Sequence, residues 1–505
     1  MQNNMMGRRR TTYSPQPEKS SSGTKGWLFL FLSAVLIAVV SYFYLDANYI
    51  CVGQRMLSID TTKADLSSSN ITDIKPILKL KKLSALDLRN NPISLDEYES
   101  LKQALPECEI IWSVPFSCGN IDSHTSSVSI PNATAEDLDK LEYLKSLTSC
   151  DLTGCTQYDR IMELYTQRPE CDFRWNVEVC SNVYPSDTDV IVLSNADAED
   201  ISALRYLPNL RSVDASGCTL YEQLYDIYAL KEGKCEILWY KDFLGTKVAS
   251  TERQLDISNT RITDFDEFFD SVKYIPGLER LTMCDCGLSN EQMEKLCAAY
   301  PKVKFVWRVY FGRWSLRTDA TIFSTLQYDP PTGMLTSKDI EVLKYCTDLE
   351  MLDLGHNAIT DISCLSGLTK MKVLILADNK ISDISPIAGM TDLFYVEMFI
   401  NRISDISVLK NMPKLEQVNF CWNYRITDPS VLYDKAKLEK IWMCGSGMSY
   451  ETKKELRAAL PDCEFDLTST WGSTNGSWRT NDTYHRIKKA FKQHNGSSDH
   501  LWEDK

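Results

Sequence analysis

Three consecutive segments of 22 residues repeat one apolar pattern, and they decide the fold. They read LEMLDLGHNAITDISCLSGLTK (349–370), MKVLILADNKISDISPIAGMTD (371–392) and LFYVEMFINRISDISVLKNMPK (393–414). A fourth copy with one inserted residue, LEQVNFCWNYRITDPSVLYDKAK, begins at Leu415, and a partial fifth begins at Leu438. Such a period, within about 20–29 residues, indicates stacked units, because one unit of this length cannot bury its own apolar face.

Each copy combines a short strand with a polar turn. Alternating residues such as Leu352 and Leu354 point to one side of the strand and form the core. An asparagine follows each strand, at Asn357, Asn379, Asn401 and Asn423. We expect these side chains to hydrogen-bond turn amides that would be buried without a partner.

The repeats fit the pattern L-x-x-L-x-L-x-x-N/C-x-L, and over 340–445 they resemble those of internalin-type bacterial leucine-rich-repeat (LRR) proteins. The resemblance implies an α/β solenoid with a parallel sheet on its concave face and helices and irregular segments on its convex face. It also implies a cell-surface protein that recognises other proteins. We place the 22-residue array and its C-terminal cap at 340–467. The wall-sorting motif of that family is not found, so we expect attachment through the N-terminal segment.

Residues 64–339 carry a longer repeat, which we interpret as helical LRR modules. Apolar residues at spacings of three and four predict one full helix per module. The modules end in PECEIIW, PECDFRW, GKCEILW and PKVKFVW, whose last residues are Trp112, Trp175, Trp239 and Trp307. Two roles are open for these tryptophans, which are packing in the core and stacking on a carbohydrate.

The segment 27–45, WLFLFLSAVLIAVVSYFYL, contains no charged residue. As a helix it spans roughly 28 Å, which is close to the thickness of the bilayer hydrocarbon. Five basic residues and one acidic residue precede it in 1–26. The positive-inside rule therefore predicts a basic cytoplasmic tail, one transmembrane helix and an extracytoplasmic remainder at the cell membrane. A cleaved signal peptide is the alternative, although its apolar region would be shorter.

Two further segments have little repeat character. Residues 46–63 are predicted to be a linker. Residues 468–505 are rich in Ser, Asn, Gly and Thr, which predicts a mostly disordered tail with a helix around 485–493.

The composition argues against several function classes. The net charge of -14 disfavours a nucleic-acid partner, because neutralising phosphates requires a basic surface. The sequence contains no G-x-S-x-G, phosphate loop or H-E-x-x-H motif, and its five histidines form no known constellation. We therefore predict no enzyme activity, no cofactor and no metal site.

Most of the 17 cysteines occupy repeat positions, such as Cys155, Cys218 and Cys286 where later repeats carry asparagine. Cys421 and Cys444 differ, because they share one column of successive repeats. Adjacent strands lie roughly 5 Å apart, which is within disulfide range. A disulfide between these two is therefore possible.

Side chains that alternate with the core leucines must point to the sheet's concave face. Several large apolar residues cluster there, namely Tyr395, Phe399, Ile400, Trp422, Trp442 and Ile375. Exposed apolar patches tend to mark interaction sites, so these residues form the candidate binding site for a protein or peptide. The other explanation is that the helical modules, the tail or a partner copy covers the patch.

Two functional hypotheses follow. The first is a membrane-anchored extracytoplasmic LRR protein that binds a protein or peptide through its concave face. The alternative is a cell-surface scaffold or adhesin that organises envelope components without a discrete ligand site. Solvent exposure of the four module tryptophans would favour the alternative.

Overall fold

The structure, a computed structural model, describes residues 23–325, 334–469 and 478–494. Within them the α-helices are α1 (Gly23–Asn48), α2 (Leu95–Ala104), α3 (Ala135–Lys140), α4 (Tyr158–Gln167), α5 (Ala198–Ala203), α6 (Tyr221–Leu230), α7 (Phe265–Val272), α8 (Asn290–Ala299), α9 (Tyr450–Ala459) and α10 (Asp482–His494). The 3₁₀ helices are Ile77–Lys79, Leu141–Tyr143, Leu204–Tyr206, Asp339–Tyr345, Ser363–Leu365, Ser385–Gly389, Ser407–Asn411, Ser430–Leu432 and Trp478–Thr480.

The strands are short, with three or four residues each. They are β1 (Tyr49–Val52), β2 (Arg55–Ser58), β3 (Lys63–Asp65), β4 (Ala85–Asp87), β5 (Glu109–Ile111), β6 (Ser113–Phe116), β7 (Gly119–Asp122), β8 (Ser127–Ser129), β9 (Ser149–Asp151), β10 (Asp172–Arg174), β11 (Asn176–Val179), β12 (Asn182–Pro185), β13 (Val190–Val192), β14 (Ser212–Asp214), β15 (Glu236–Leu238), β16 (Tyr240–Phe243), β17 (Thr246–Ala249), β18 (Gln254–Asp256), β19 (Arg280–Thr282), β20 (Lys304–Val306), β21 (Arg308–Phe311), β22 (Trp314–Arg317), β23 (Ile322–Ser324), β24 (Met351–Asp353), β25 (Val373–Ile375), β26 (Tyr395–Glu397), β27 (Gln417–Asn419), β28 (Lys440–Trp442) and β29 (Glu464–Asp466).

The chain divides into two compact units, and the division runs through the third long module. The first unit comprises Met1–Val213 and Ile227–Cys235. The second comprises Asp214–Asp226 and Glu236–Lys505.

The first unit begins with the apolar helix α1. Its span Phe29–Asn48 is long and apolar enough to cross a membrane, and it is not buried against the rest of the protein. The predicted transmembrane segment 27–45 lies inside α1. In the region predicted to be a linker, β1 and β2 form an antiparallel hairpin.

The long modules of the first unit combine two kinds of sheet. Strands β3–β4–β5 and β8–β9–β10 form three-stranded parallel sheets, and α2 and α4 precede their third strands. An antiparallel hairpin follows each sheet, as β6–β7 and β11–β12. The amide of Trp175 donates to the Ser186 hydroxyl at 3.3 Å, and the Ser186 amide donates to the Trp175 carbonyl at 2.8 Å. This reciprocal pair of hydrogen bonds closes the hairpin. These hairpins were not predicted from the sequence.

The second unit continues this plan and then changes to a regular array. Strands β18–β19–β20 form a parallel sheet, with hairpins β16–β17 and β21–β22 on either side of it in the chain. Strands β23 to β29 then form one seven-stranded parallel sheet in sequential order. Its register pairs Leu352 with Leu374 and Leu374 with Val396. The predicted LRR fold, with its parallel sheet and 22-residue period, is therefore confirmed.

The module tryptophans belong to the interior of their units. Trp112, Trp175, Trp239 and Trp307 are all buried. Trp112 stacks on Tyr98, with ring centroids 4.3 Å apart. Of the two roles left open by the sequence, the structure supports core packing.

The asparagine column connects successive repeats of the array. The amide of Ile359 donates to Asn379 Oδ1 at 3.0 Å. Asn379 Nδ2 donates to the carbonyls of Leu354 and Leu376 at 3.0 and 3.1 Å. One side chain thus satisfies buried backbone groups of its own repeat and of the preceding one, as the sequence predicted. At the equivalent position of a long module, the Cys155 thiol donates to the Ala133 carbonyl at 3.1 Å.

Asn379→Ala should destabilise the array strongly, because it leaves the Ile359 amide and at least one buried carbonyl without a partner. Each such group costs about 1–3 kcal/mol. Urea denaturation followed by circular dichroism measures the effect. Asn411→Ala is the matched control, since that asparagine is exposed. Equal losses of stability in both variants would contradict the role given to the column.

Candidate ligand-binding face

The seven-stranded sheet has a second apolar side, opposite the leucine core. We call it the outer face and define it by Met351, Asp353, Val373, Ile375, Tyr395, Glu397, Gln417, Asn419 and Trp442. Its apolar members form a buried cluster distinct from the leucine core, and Phe399, Cys421 and Cys444 extend it beyond the strand ends. Because these side chains are buried, another segment of the protein must pack on this face.

Residues 478–494, which we call the tail segment, cover the outer face. Trp478, Ile487 and Phe491 are buried in the same cluster. The Trp478 ring lies 5.3 Å from Tyr395 and 5.4 Å from Trp442, measured between centroids. Aromatic pairs at these separations add to the free energy gained from burial.

The start of α10 is fixed beside this anchor. Asn481 Nδ2 donates to the Trp478 carbonyl at 2.6 Å, and the Tyr484 amide donates to Asn481 Oδ1 at 2.8 Å. Asparagine is a favoured residue at helix starts because it satisfies such orphan amides. Ile487 and Phe491, four residues apart, then face the sheet together. The helix expected around 485–493 is present, while 470–477 and 495–505 lie outside the described residues.

The predicted binding residues fall into two groups. Ile375, Tyr395, Phe399 and Trp442 are buried. The sequence left open that the tail covers the patch, and in the structure the tail segment covers these four residues. Ile400 and Trp422 lie at the edge of the face, where Ile400 is 42% exposed and Trp422 is half-buried. Ligand binding by the six residues stays a prediction.

The edge also holds Tyr424, which the sequence analysis missed. Its side chain is 69% exposed, and its ring lies 6.1 Å from the Trp422 ring between centroids. A signal was available, because the extra residue of the 23-residue repeat falls immediately after Asn423. We call Ile400, Trp422 and Tyr424 the open edge.

Two residues of the open edge have strained backbones. Ile400 and Trp422 have φ values of 54° and 61°. The two preceding repeats carry His356 and Asp378 at this left-handed position. A β-branched residue there is unusual, and such strain costs on the order of 1–3 kcal/mol. Strained positions of this kind cluster at functional sites.

A cavity of about 430 Å³ lies between the outer face and the tail segment. Asp353 and Glu397 line it from the sheet, and both are only 3% exposed. Asp353 accepts hydrogen bonds from the Gly355 amide at 3.0 Å and the Ser324 hydroxyl at 3.1 Å. Glu397 accepts one from the Tyr395 hydroxyl at 2.9 Å.

The environment of these carboxyl groups favours their protonated form. Burial raises the pKa of Asp353 to about 7, and the nearby Glu397 carboxylate adds to that effect. Burial also raises the pKa of Glu397, despite the hydrogen bond from Tyr395. At the rim of the cavity, His356 Nδ1 and Asp378 Oδ2 are 2.8 Å apart.

Cys421 and Cys444 lie side by side, as their shared column predicted. Both are buried and present as thiols. Their side chains share a hydrogen bond, which raises the pKa of Cys421 and lowers that of Cys444. The disulfide stays a prediction. Among the described residues, no group of three or more His, Cys, Asp and Glu side chains is arranged to hold a metal ion.

A family model described as leucine-rich repeats in two copies matches residues 347–390, which confirms the repeat type. Similar solved structures include the internalin inlF from Listeria monocytogenes, with 18% identity, 82% coverage of this chain, 84% of that chain and a TM-score of 0.27. An LRR protein from Leptospira interrogans has 15% identity, coverages of 81% and 96%, and a TM-score of 0.23. None of the curated proteins matches the chain. At these TM-scores the likeness carries no functional conclusion.

Trp478→Ala should release the tail segment while the leucine core stays folded. Truncating a buried tryptophan costs about 3–5 kcal/mol, and the core is a separate cluster. Hydrogen exchange should become fast at the amides of α10, with little change in the circular dichroism of the array. Tyr450→Ala, at an exposed aromatic, is the control. Slow exchange in α10 of the Trp478 variant would contradict the anchoring role.

Asp353 should make the stability of the array depend on pH. Its pKa is about 7 in the folded protein and about 3.9 in an unfolded chain, so protonation favours folding. The contribution of protonated Asp353 to the free energy of unfolding is fully present below about pH 4 and is lost as the pH rises toward 7. Wild type should therefore lose stability relative to Asp353→Asn over this range, by on the order of 4 kcal/mol.

Urea midpoints of the two proteins at several pH values test this expectation. The exposed Asp434→Asn substitution is the control, and its difference from wild type should stay nearly constant. A constant difference between wild type and Asp353→Asn from pH 4 to pH 8 would contradict the effect assigned to burial.

Proposed function

We propose that this chain, a leucine-rich-repeat protein, is a membrane-anchored extracytoplasmic recognition protein. Its 22-residue array binds a protein or peptide ligand on the outer face of the sheet. The ligand contacts the open edge formed by Ile400, Trp422 and Tyr424, beside the tail segment. The chain acts by binding rather than by catalysis.

The open edge is the observation that carries this proposal. Its three side chains place aliphatic and aromatic surface in solvent, where contiguous apolar patches tend to mark interaction sites. Tyrosine and tryptophan are also enriched among residues that dominate binding energy. Ile400 keeps a strained left-handed backbone although Asp378 occupies the equivalent position one repeat earlier. An apolar side chain there is unfavourable for folding alone, which supports a role in binding.

The buried part of the predicted patch has a supporting role. Tyr395 and Trp442 contact the ring of Trp478, so they hold the tail segment. The tail segment also illustrates what the outer face accepts, namely a short helix that presents an aromatic and an aliphatic side chain four residues apart. A ligand at the open edge extends this contact surface.

The anchor is proposed from the N-terminal sequence and helix together. The apolar span Phe29–Asn48 follows a segment that is rich in basic residues. The positive-inside rule then puts the N-terminus in the cytoplasm and the repeats outside. The scaffold alternative gains no support, because the module tryptophans whose exposure would have favoured it are buried.

Binding and stability can be separated at the open edge. Ile400→Asn introduces a residue that tolerates the left-handed backbone, so the array should be at least as stable as wild type. Combined with Tyr424→Ser, it should abolish ligand capture. The full-length chain in detergent micelles serves as bait for native surface extract, and urea denaturation checks the fold.

Tyr450→Ser is the matched control, because it removes an equally exposed tyrosine elsewhere in the same unit. A partner captured by wild type and by this control, but not by the edge variant, is the expected result. Equal capture by the edge variant and the control would refute the proposed site. Capture of no partner by any of them would favour the scaffold alternative.

A further inference from the structure

The cavity under the tail segment has features that binding at the open edge does not use. Its volume of about 430 Å³ falls within the range of small-molecule pockets, about 300–1,000 Å³. One wall belongs to the outer face and the other to the tail segment, so any occupant contacts both. The inference drawn from it does not depend on the proposed function.

The sheet side of the cavity carries two carboxyl groups that form no ion pair, although the nearby charge of Arg479 partly offsets the effect of burial on the pKa of Glu397. Asp353 and Glu397 lie on β24 and β26, with Ile375 of β25 between them. Among the described residues, no lysine, arginine or histidine nitrogen lies within 4.0 Å of either group. Burying a charge without a partner is costly, and a cationic group in the cavity would offset that cost.

The tail side carries cationic side chains. Arg479, Lys488 and Lys492 line the cavity, and none of them forms an ion pair with a described residue. The Nε atom of Arg479 is buried without a hydrogen-bond partner. A buried donor without a partner is costly, and a hydrogen-bond acceptor on a ligand in the cavity would offset that cost. The cavity therefore has two carboxyl groups on one wall, whose ionised form a bound cation would favour, and cationic side chains on the other.

Apolar side chains separate the two charged walls. Ile375 and Phe399 contribute from the sheet, and Ile487 and Phe491 from α10. They offer a place for an aliphatic or aromatic body between two charged ends. Across the cavity, carboxyl groups are followed by apolar surface and then by cationic groups. This arrangement is complementary to a dipolar molecule.

We propose that this cavity binds a small zwitterion with an apolar side chain, either a free α-amino acid or a dipeptide. The ammonium group of the ligand lies against the carboxyl groups of Asp353 and Glu397 and favours their ionised form. Its carboxylate lies against Arg479, whose guanidinium can donate two parallel hydrogen bonds to the two oxygens. Because it joins the two walls, the bound ligand holds α10 on the outer face.

Isothermal titration of the full-length protein in detergent micelles tests the proposal. L-phenylalanine and the dipeptide L-leucyl-L-phenylalanine are the probes, and the tighter one identifies the source. Phenethylamine lacks the carboxylate and 3-phenylpropionate lacks the ammonium group, so both should bind at least tenfold more weakly, as expected for loss of a charged hydrogen bond. The bound probe should also slow hydrogen exchange in α10.

Two variants on opposite walls keep the test decisive if one of them misfolds. Glu397→Gln and Arg479→Gln should each weaken binding at least tenfold. Lys489→Gln is the control, because this exposed lysine is on α10 but does not line the cavity. No binding of either probe at 10 mM (roughly tenfold above the upper end of typical substrate KM values, ~1 mM) would overturn the proposal. Binding of the amine or the acid as tight as that of the zwitterion would overturn it equally.

Discussion

The hydrogen bonds of the asparagine column hold successive repeats together, and each surface of the array depends on them. Asn379 and Asn401 each connect backbone groups of two neighbouring repeats inside the protein. Leaving those buried groups unpaired would cost about 1–3 kcal/mol each. With the column in place, the strands lie in register, and one residue in every two points to the outer face. The column thereby sets the spacing of all side chains on that face.

The strand register places the side chains of the outer face, and the tail segment determines which of them are buried. Its central residues form an apolar surface that the tail segment covers, with Trp478 as the anchor. The cover is complete over Tyr395 and Trp442 but stops before Ile400 and Tyr424. The cover also encloses two carboxyl groups that form no ion pair, and their burial raises the pKa of each. The same face therefore offers an open apolar edge and an enclosed polar cavity.

The sequence predicted the fold well because periodicity is a local property. The 22-residue period, the asparagine column and the apolar helix at 27–45 all follow from spacing and composition. Sequence also identified which side chains share the outer face. It could not determine what covers them, since α10 lies outside the repeats and contributes no periodic signal to the array. Tyr424 was missed because an inserted residue interrupts the period. The hairpins were missed because the serine and threonine hydroxyls that close them lie outside the repeated apolar pattern.

The central claim is that the open edge of the outer face is the recognition surface. Hydrogen–deuterium exchange of the full-length protein, alone and with its captured partner, tests it most directly, because it reports contact without any substitution. The account predicts slower exchange in the turns around Ile400 and Tyr424 when the partner is bound, with the long modules unchanged. Protection confined to the long modules at 64–339, with no change at the open edge, would contradict it.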